Sequence, residues 1–146
     1  MTLTEILDGV KEKMELDSFL AAQEIITGVN QGFNERVEFA LNSTGLAFGL
    51  MLLGGQPTDS NAKPLRLQNH VGISVFINPK KCQDQTGKTT EQIVQLTMSA
   101  VHQVTWASRG VKNEFRIIPP GYDLISLADT GGKIVYMIHL EVISKD

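Results

Sequence analysis

The run Cys82-Gln83-Asp84-Gln85-Thr86-Gly87-Lys88-Thr89 ends in the Gly-Lys-Thr of a phosphate-binding loop and lies between a predicted strand and a predicted helix. Such a loop wraps phosphate oxygens with successive backbone N–H groups. That needs glycine at the first position of G-x-x-x-x-G-K-[ST], where this chain has Cys82. The signature is half present, and the plainer reading is a polar loop in which Gly87 turns the chain and Thr89 caps the next helix. Asp129-Thr130-Gly131 matches the tripeptide of aspartic proteases, in which two aspartates meet across a dimer and share a proton. Too little chain follows Gly131 for the flap and later core strands of such a protease, whereas Asp-Thr-Gly-Gly between alternating strands is an ordinary hairpin turn. His70, His102 and His139 are far apart, and none has the spacing of a metal-ligand pair. Surface or partner-facing positions are expected for them, His102 on the polar side of its helix and His139 on the strand face opposite Leu140. Cys82 has no histidine beside it in sequence to activate it and reads as a plain exposed thiol. No catalytic residue, metal ligand or cofactor-binding residue is assigned, and no cofactor is expected.

Composition narrows the function classes further. Thirteen Lys and Arg against sixteen Asp and Glu give a net charge of −3, without the basic field that general nucleic-acid binding draws on. The single cysteine rules out an intramolecular disulfide framework and fits a reducing compartment. Met1-Thr2-Leu3-Thr4-Glu5 lacks the basic start and apolar stretch of a signal peptide. The longest apolar run, residues 45–55, is about half of the ~20 residues a membrane helix needs. A cytosolic protein of one domain, residues 1–146, is the expectation.

Several elements must position whatever the chain does. Leu3, Ile6, Leu7, Val10 and Met14 recur at helical spacing over residues 3–15. Residues 19–27 read as either a second helix or a short strand, with a strand near 24–27 preferred, and then comes a helix from about Asn30 to Asn42 with Phe33, Val37, Ala40 and Leu41 on one face, ended by Gly45. Residues 46–53 read as a strand buried on both faces. Residues 56–67, with Pro57 and Pro64, read as an exposed loop long enough to reach a neighbour. Val71, Ile73, Val75 and Ile77 alternate along a strand that Pro79 ends. Residues 80–88 read as a polar loop. Thr89 and Gln92 can form a capping box on a helix over about 90–105, with Ile93 and Leu96 in the core and Val104 on the same stripe. Strands at 114–118 and 123–128 flank a Pro-Pro-Gly turn, and residues 129–132 turn into a last strand over 133–143. Without a repeated βαβ rhythm this predicts an α+β fold, a mostly antiparallel sheet of four to five strands packed against two or three helices.

Val135 and Met137 fall on the face of the last strand opposite its core residues. Together with Pro57 and Pro64 of the long loop they are the candidate interface residues.

The order of elements, with Asn34-Glu35-Arg36-Val37-Glu38-Phe39-Ala40-Leu41, the glycine-led strand 45–53, the strand 71–77 running into Asn78-Pro79, Lys88-Thr89-Thr90 opening the long helix and the terminal hairpin, resembles the phage tail terminator or tail-completion proteins. The resemblance spans about residues 20–143. It implies a non-enzymatic subunit that forms rings with copies of itself, often hexamers, and that meets tail-tube and head-completion proteins at the head–tail junction. It implies a location in the host cytoplasm during assembly and then in the virion tail or neck, with no membrane and no sequence-specific nucleic acid as partner. It supplies no catalytic residues. The competing expectation is a small cytosolic ligand-binding protein or enzyme with an anion site in the 80–90 loop.

Overall fold

The computed structural model describes residues 2–28, 30–57, 67–108, 111–127 and 133–145. Helix α1 (Leu3–Met14) starts at a capping box in which Thr2 and Glu5 satisfy each other's backbone N–H groups, and it buries Ile6, Leu7, Val10 and Met14. A short helix α2 (Ser18–Ala21), capped by Asp17, leads to strand β1 (Glu24–Thr27). Helix α3 (Phe33–Ser43) follows and gives way through Gly45 to strand β2 (Leu46–Pro57). Strand β3 (Leu67–Ile77) returns antiparallel to β2.

Residues 80–88, expected as a loop, are mostly helical. Asn78 accepts a hydrogen bond from the Lys81 N–H, Pro79 occupies the first turn, and helix α4 (Pro79–Thr86) ends at Gly87 in the left-handed conformation. Only Cys82 of this helix is buried, so its sequence carries no apolar stripe from which to read it. Cys82 is 1% exposed and packs in the main core, which corrects the expectation of an exposed thiol.

Helix α5 (Thr90–Val101) begins at the expected Thr89–Gln92 capping box. It stops earlier than its apolar pattern suggested, because His102 is extended and Gln103 has φ 55°, and Val104 opens strand β4 (Val104–Ser108). Ile93 is fully buried, but Leu96 is only half-buried at the edge of the core. The segment around Pro119 and Pro120 does not reverse the chain. Both of its flanks pair with the same strand in the same direction, so β5 (Val111–Leu127) is one long strand bulged at residues 118–121, and it runs beside β6 (Ile134–Lys145). The turn expected at 129–132 lies outside the described residues.

The fold is α+β, but among the described residues the sheet has six strands in the order β1-β2-β3-β6-β5-β4 and five helices accompany it, more than the four to five strands and two or three helices expected. The sheet is mixed, because β1 lies parallel to β2 through the α3 crossover. One face carries the main core. Phe48 and Leu50 of β2, Val71, Ile73, Val75 and Ile77 of β3, and Ile138 and Leu140 of β6 pack there under α1 and α5. On the other face α3 covers mainly the β1–β2 side, where Val37, Ala40 and Leu41 meet Ile26 and Ala47, and its Phe33 reaches the Phe76 ring of β3.

Candidate functional site

Alternation along a strand fixes which residues share the second face. On β3 they are Gln68, His70, Gly72, Ser74 and Phe76, and the register of β6 sets Glu141, His139, Met137 and Val135 opposite the last four in order. Val135 and Met137 therefore do turn away from the main core, and both are half-buried. A Cβ built on Gly72 would lie 2.7 Å from the Met137 Sδ and 2.8 Å from the Leu53 Cδ1, so both side chains close over that glycine. Pro57 is exposed at the far end of β2, and Pro64 lies outside the described residues.

The same register brings together two histidines that the sequence leaves far apart. His70 Nε2 lies 3.0 Å from His139 Nδ1, and His139 Nε2 lies 2.7 Å from the Asp123 carboxylate. One step along the seam, the Glu141 carboxylate accepts a hydrogen bond from the Gln68 side-chain amide at 2.7 Å on one oxygen and from the Arg116 guanidinium on the other. Glu141 is 8% exposed, and a carboxylate so buried would be costly without such partners. Its charge is compensated where it sits.

These groups border an open cavity of about 380 Å³ between the ends of β2 and β3 and the β5 bulge, lined in part by Gly54, Gly55, Gln68, His70, Ile118 and Glu141. Burial lowers the His70 pKa from its ordinary value of 6.5; the nearby His139 lowers it further, and Glu141 partly offsets them. His70 is thus neutral at pH 7. As pH falls below 6.5 the unfolded chain takes up this proton before the folded one does, so this group makes folding less favourable down to its folded pKa. Among the described residues, no group of three or more His, Cys, Asp or Glu could hold a metal ion.

His102 does not join the pair on the sheet. It follows α5, and its Nδ1 accepts a hydrogen bond from the Ile117 N–H at 3.2 Å.

The 80–90 segment offers little to an anion. The Cys82 and Gly87 N–H groups bond to Asn78 and Gln83 carbonyls within the α4 helical pattern, and Lys88 Nζ sits 5.0 Å from the centre of the Phe19 ring. Lys88→Ala is expected to cost no more than ~1 kcal/mol, the worth of an exposed cation–π contact. Calorimetric titration of the wild type with ATP or GTP should give no saturable heat. Saturable binding that vanishes in the variant would overturn this reading.

An antiparallel sheet in a chain of this size is expected to leave an exposed edge through which copies associate, and the structure shows which strand carries it. Strand β4 pairs only with residues 111–115 of β5, so beyond that point, past the Ile117 N–H whose hydrogen bond His102 accepts, β5 has a neighbouring strand on the β6 side alone among the described residues. Along this free stretch Tyr122, Leu124, Ile125 and Leu127 are 51%, 49%, 54% and 66% exposed. A smaller cavity of about 170 Å³ opens beside them, lined by Val94, Met98, Tyr122 and Tyr136 among others. The alternation in 123–128 marked a strand, but only the pairing shows which edge stays open.

No protein-family model and no curated protein matches the chain. A solved structure of a protein whose name states no activity is similar to it over 99% of this chain and 98% of that one, with a TM-score of 0.57 at 10% identity. A likeness at that identity concerns the fold alone. No helix among the described residues is long and apolar enough to cross a membrane.

Proposed function

We propose that this chain is a non-enzymatic structural subunit that assembles with copies of itself through the outer half of β5, as a ring-forming tail terminator or tail-completion subunit of a phage particle would. The observation that carries the reading is the free β5 edge with its four exposed apolar side chains. An unpaired edge offers N–H and C=O groups to another chain, and a run of large apolar residues on it gives that contact a dry centre. The neighbouring cavity beside Tyr122 has walls from Val94 and Met98 and can receive an apolar side chain of a second subunit. A protruding residue on one copy and a recess on the next make a head-to-tail contact, which closes into a ring when the rotation allows. The resemblance of the sequence to tail terminators supplies the kind of ring. The same open edge would serve contact with tail-tube and head-completion proteins.

The test is light scattering across a wide concentration range, with and without a candidate tail-tube protein, on the wild type and on the double variant Leu124→Glu/Leu127→Glu. The wild type should associate. The variant, which keeps its fold because both positions are about half or more exposed, should stay monomeric at concentrations at least ~10-fold higher, equivalent to 1.4 kcal/mol or more of contact energy. A wild type that remains monomeric throughout and ignores the tube protein would leave the proposal without support.

A further inference from the structure

With both rings uncharged, only one placement of the ring protons satisfies both hydrogen bonds on the β3–β6 seam. In that arrangement the Asp123 carboxylate accepts the His139 Nε2–H, so the His139 ring carries its proton there. Its Nδ1 is then a lone pair, and the 3.0 Å contact to His70 requires His70 Nε2 to be the donor. The Nδ1 of His70 is therefore an acceptor, on a ring that borders the 380 Å³ cavity.

The other walls carry groups of both hydrogen-bonding senses. Gln56, Gln68 and Asn69 bring side-chain amides, and Glu141 has further lone pairs beyond the two its partners use. Arg116 compensates the Glu141 charge, and Asp123 stands behind His139, so among the described residues no uncompensated charge faces the space. A Cβ on Gly54 would meet nothing within 4 Å, which leaves that backbone open to approach, and Ile118 adds an apolar surface. Among the described residues the wall charge of Glu141 is offset by Arg116, which disfavours strong selection for anions or cations. Mixed donors and acceptors around one apolar contact suit a molecule whose every polar group both gives and accepts a hydrogen bond while its carbon frame stays apolar.

We propose that this cavity binds a neutral polyhydroxylated molecule of monosaccharide size, with the His70 Nδ1 and the Glu141 carboxylate accepting its hydroxyl protons. Asp123 is a positioning residue, because it acts on the ligand only through the two rings. Binding weakens when His70 is protonated, since its acceptor then becomes a donor. Among the described residues, the charged or titratable groups around that ring are His139 and Glu141 on β6 and Asp123 and Arg116 on β5, and the β2 residues that line the cavity are Gly54, Gly55 and Gln56.

Two measurements on the full chain test this. Nitrogen-15 NMR of the histidine rings at pH 7.5 should show both protons on Nε2; a proton on His70 Nδ1 would overturn the relay without any variant having to fold. Amide chemical shifts are then followed while methyl α-glucoside, methyl α-galactoside and myo-inositol are added, with acetate and butylamine as charged contrasts. At least one neutral probe should move Gly54, Gln68 and His70 saturably, bind ~10-fold more weakly to His70→Phe, and bind more weakly once the pH is low enough for the nitrogen-15 spectra to show His70 protonated. Failure of all three neutral probes to saturate, or stronger binding of a charged probe at these residues, would overturn the proposal. Stoichiometric Zn²⁺ capture by the two histidines would do the same.

Discussion

Gly45→Ala is expected to destabilise the fold by ~3 kcal/mol or more, which urea denaturation would register as a lower midpoint with an unchanged slope. Two costs coincide at this residue. Its φ of 81° lies in the left-handed region, where a side chain brings strain of order 1 kcal/mol or more. The added Cβ would also lie 2.5 Å from the Cys82 backbone N and 2.9 Å from the Lys81 carbonyl carbon. Those atoms belong to the first turn of α4 and cannot swing aside as a side-chain tip would. Gly45 also joins the two elements directly, since its carbonyl accepts the Asn78 N–H at 2.9 Å while its own N–H reaches back to the Ala40 carbonyl of α3. Gly87→Ala is the informative comparison. Its φ of 76° is similar but its Cβ would meet nothing within 4 Å, so it should cost only the backbone strain. Equal losses at the two sites would refute the steric account.

Phe48→Ala should be comparably severe, at ~3–5 kcal/mol, the range for emptying a buried aromatic site. Phe48 is fully buried, pairs across the sheet with Ile25 on one side and Val75 on the other, and lies on the face covered by α1 and α5. The surrounding strands are held by their own ladders and cannot collapse far into the space it leaves. A thermal or urea midpoint shifted by less than the equivalent of ~1 kcal/mol would mean that this face is loosely packed.

The sequence announced those elements whose side chains repeat with a clear period. The stripe of α1, the capping box at Thr89 and the alternation in β3 were legible because each is a local pattern of apolar or capping residues. Helix α4 was not, because its polar surface hides a single buried cysteine. The start of β4 was lost in the apolar run of α5, where only the positive φ at Gln103 marks the break. The Pro119-Pro120-Gly121 segment signalled a turn, but whether such a segment reverses a strand or merely bulges it depends on what pairs on either side. The same limit governs the site. Val135 and Met137 could be assigned to a face from alternation alone. His70 and His139 could not be brought together that way, since their contact depends on the register between strands 69 residues apart. The open edge of β5 depends likewise on β4 being short.

That long separation bears on how the chain reaches this structure. The sheet consists of two three-stranded halves, β1 to β3 and β4 to β6, each assembled from neighbouring segments and joined only where β3 meets β6. Closing a loop of 69 residues costs roughly 2 kcal/mol more entropy than closing the ten-residue interval from Pro57 to Leu67 at the β2–β3 hairpin. The seam is therefore the late, rate-setting event of folding, and until it forms each half presents a raw edge of unsatisfied backbone. Until then those two edges can pair with the same edges on other copies, an exchange of halves between neighbours that closing the seam prevents.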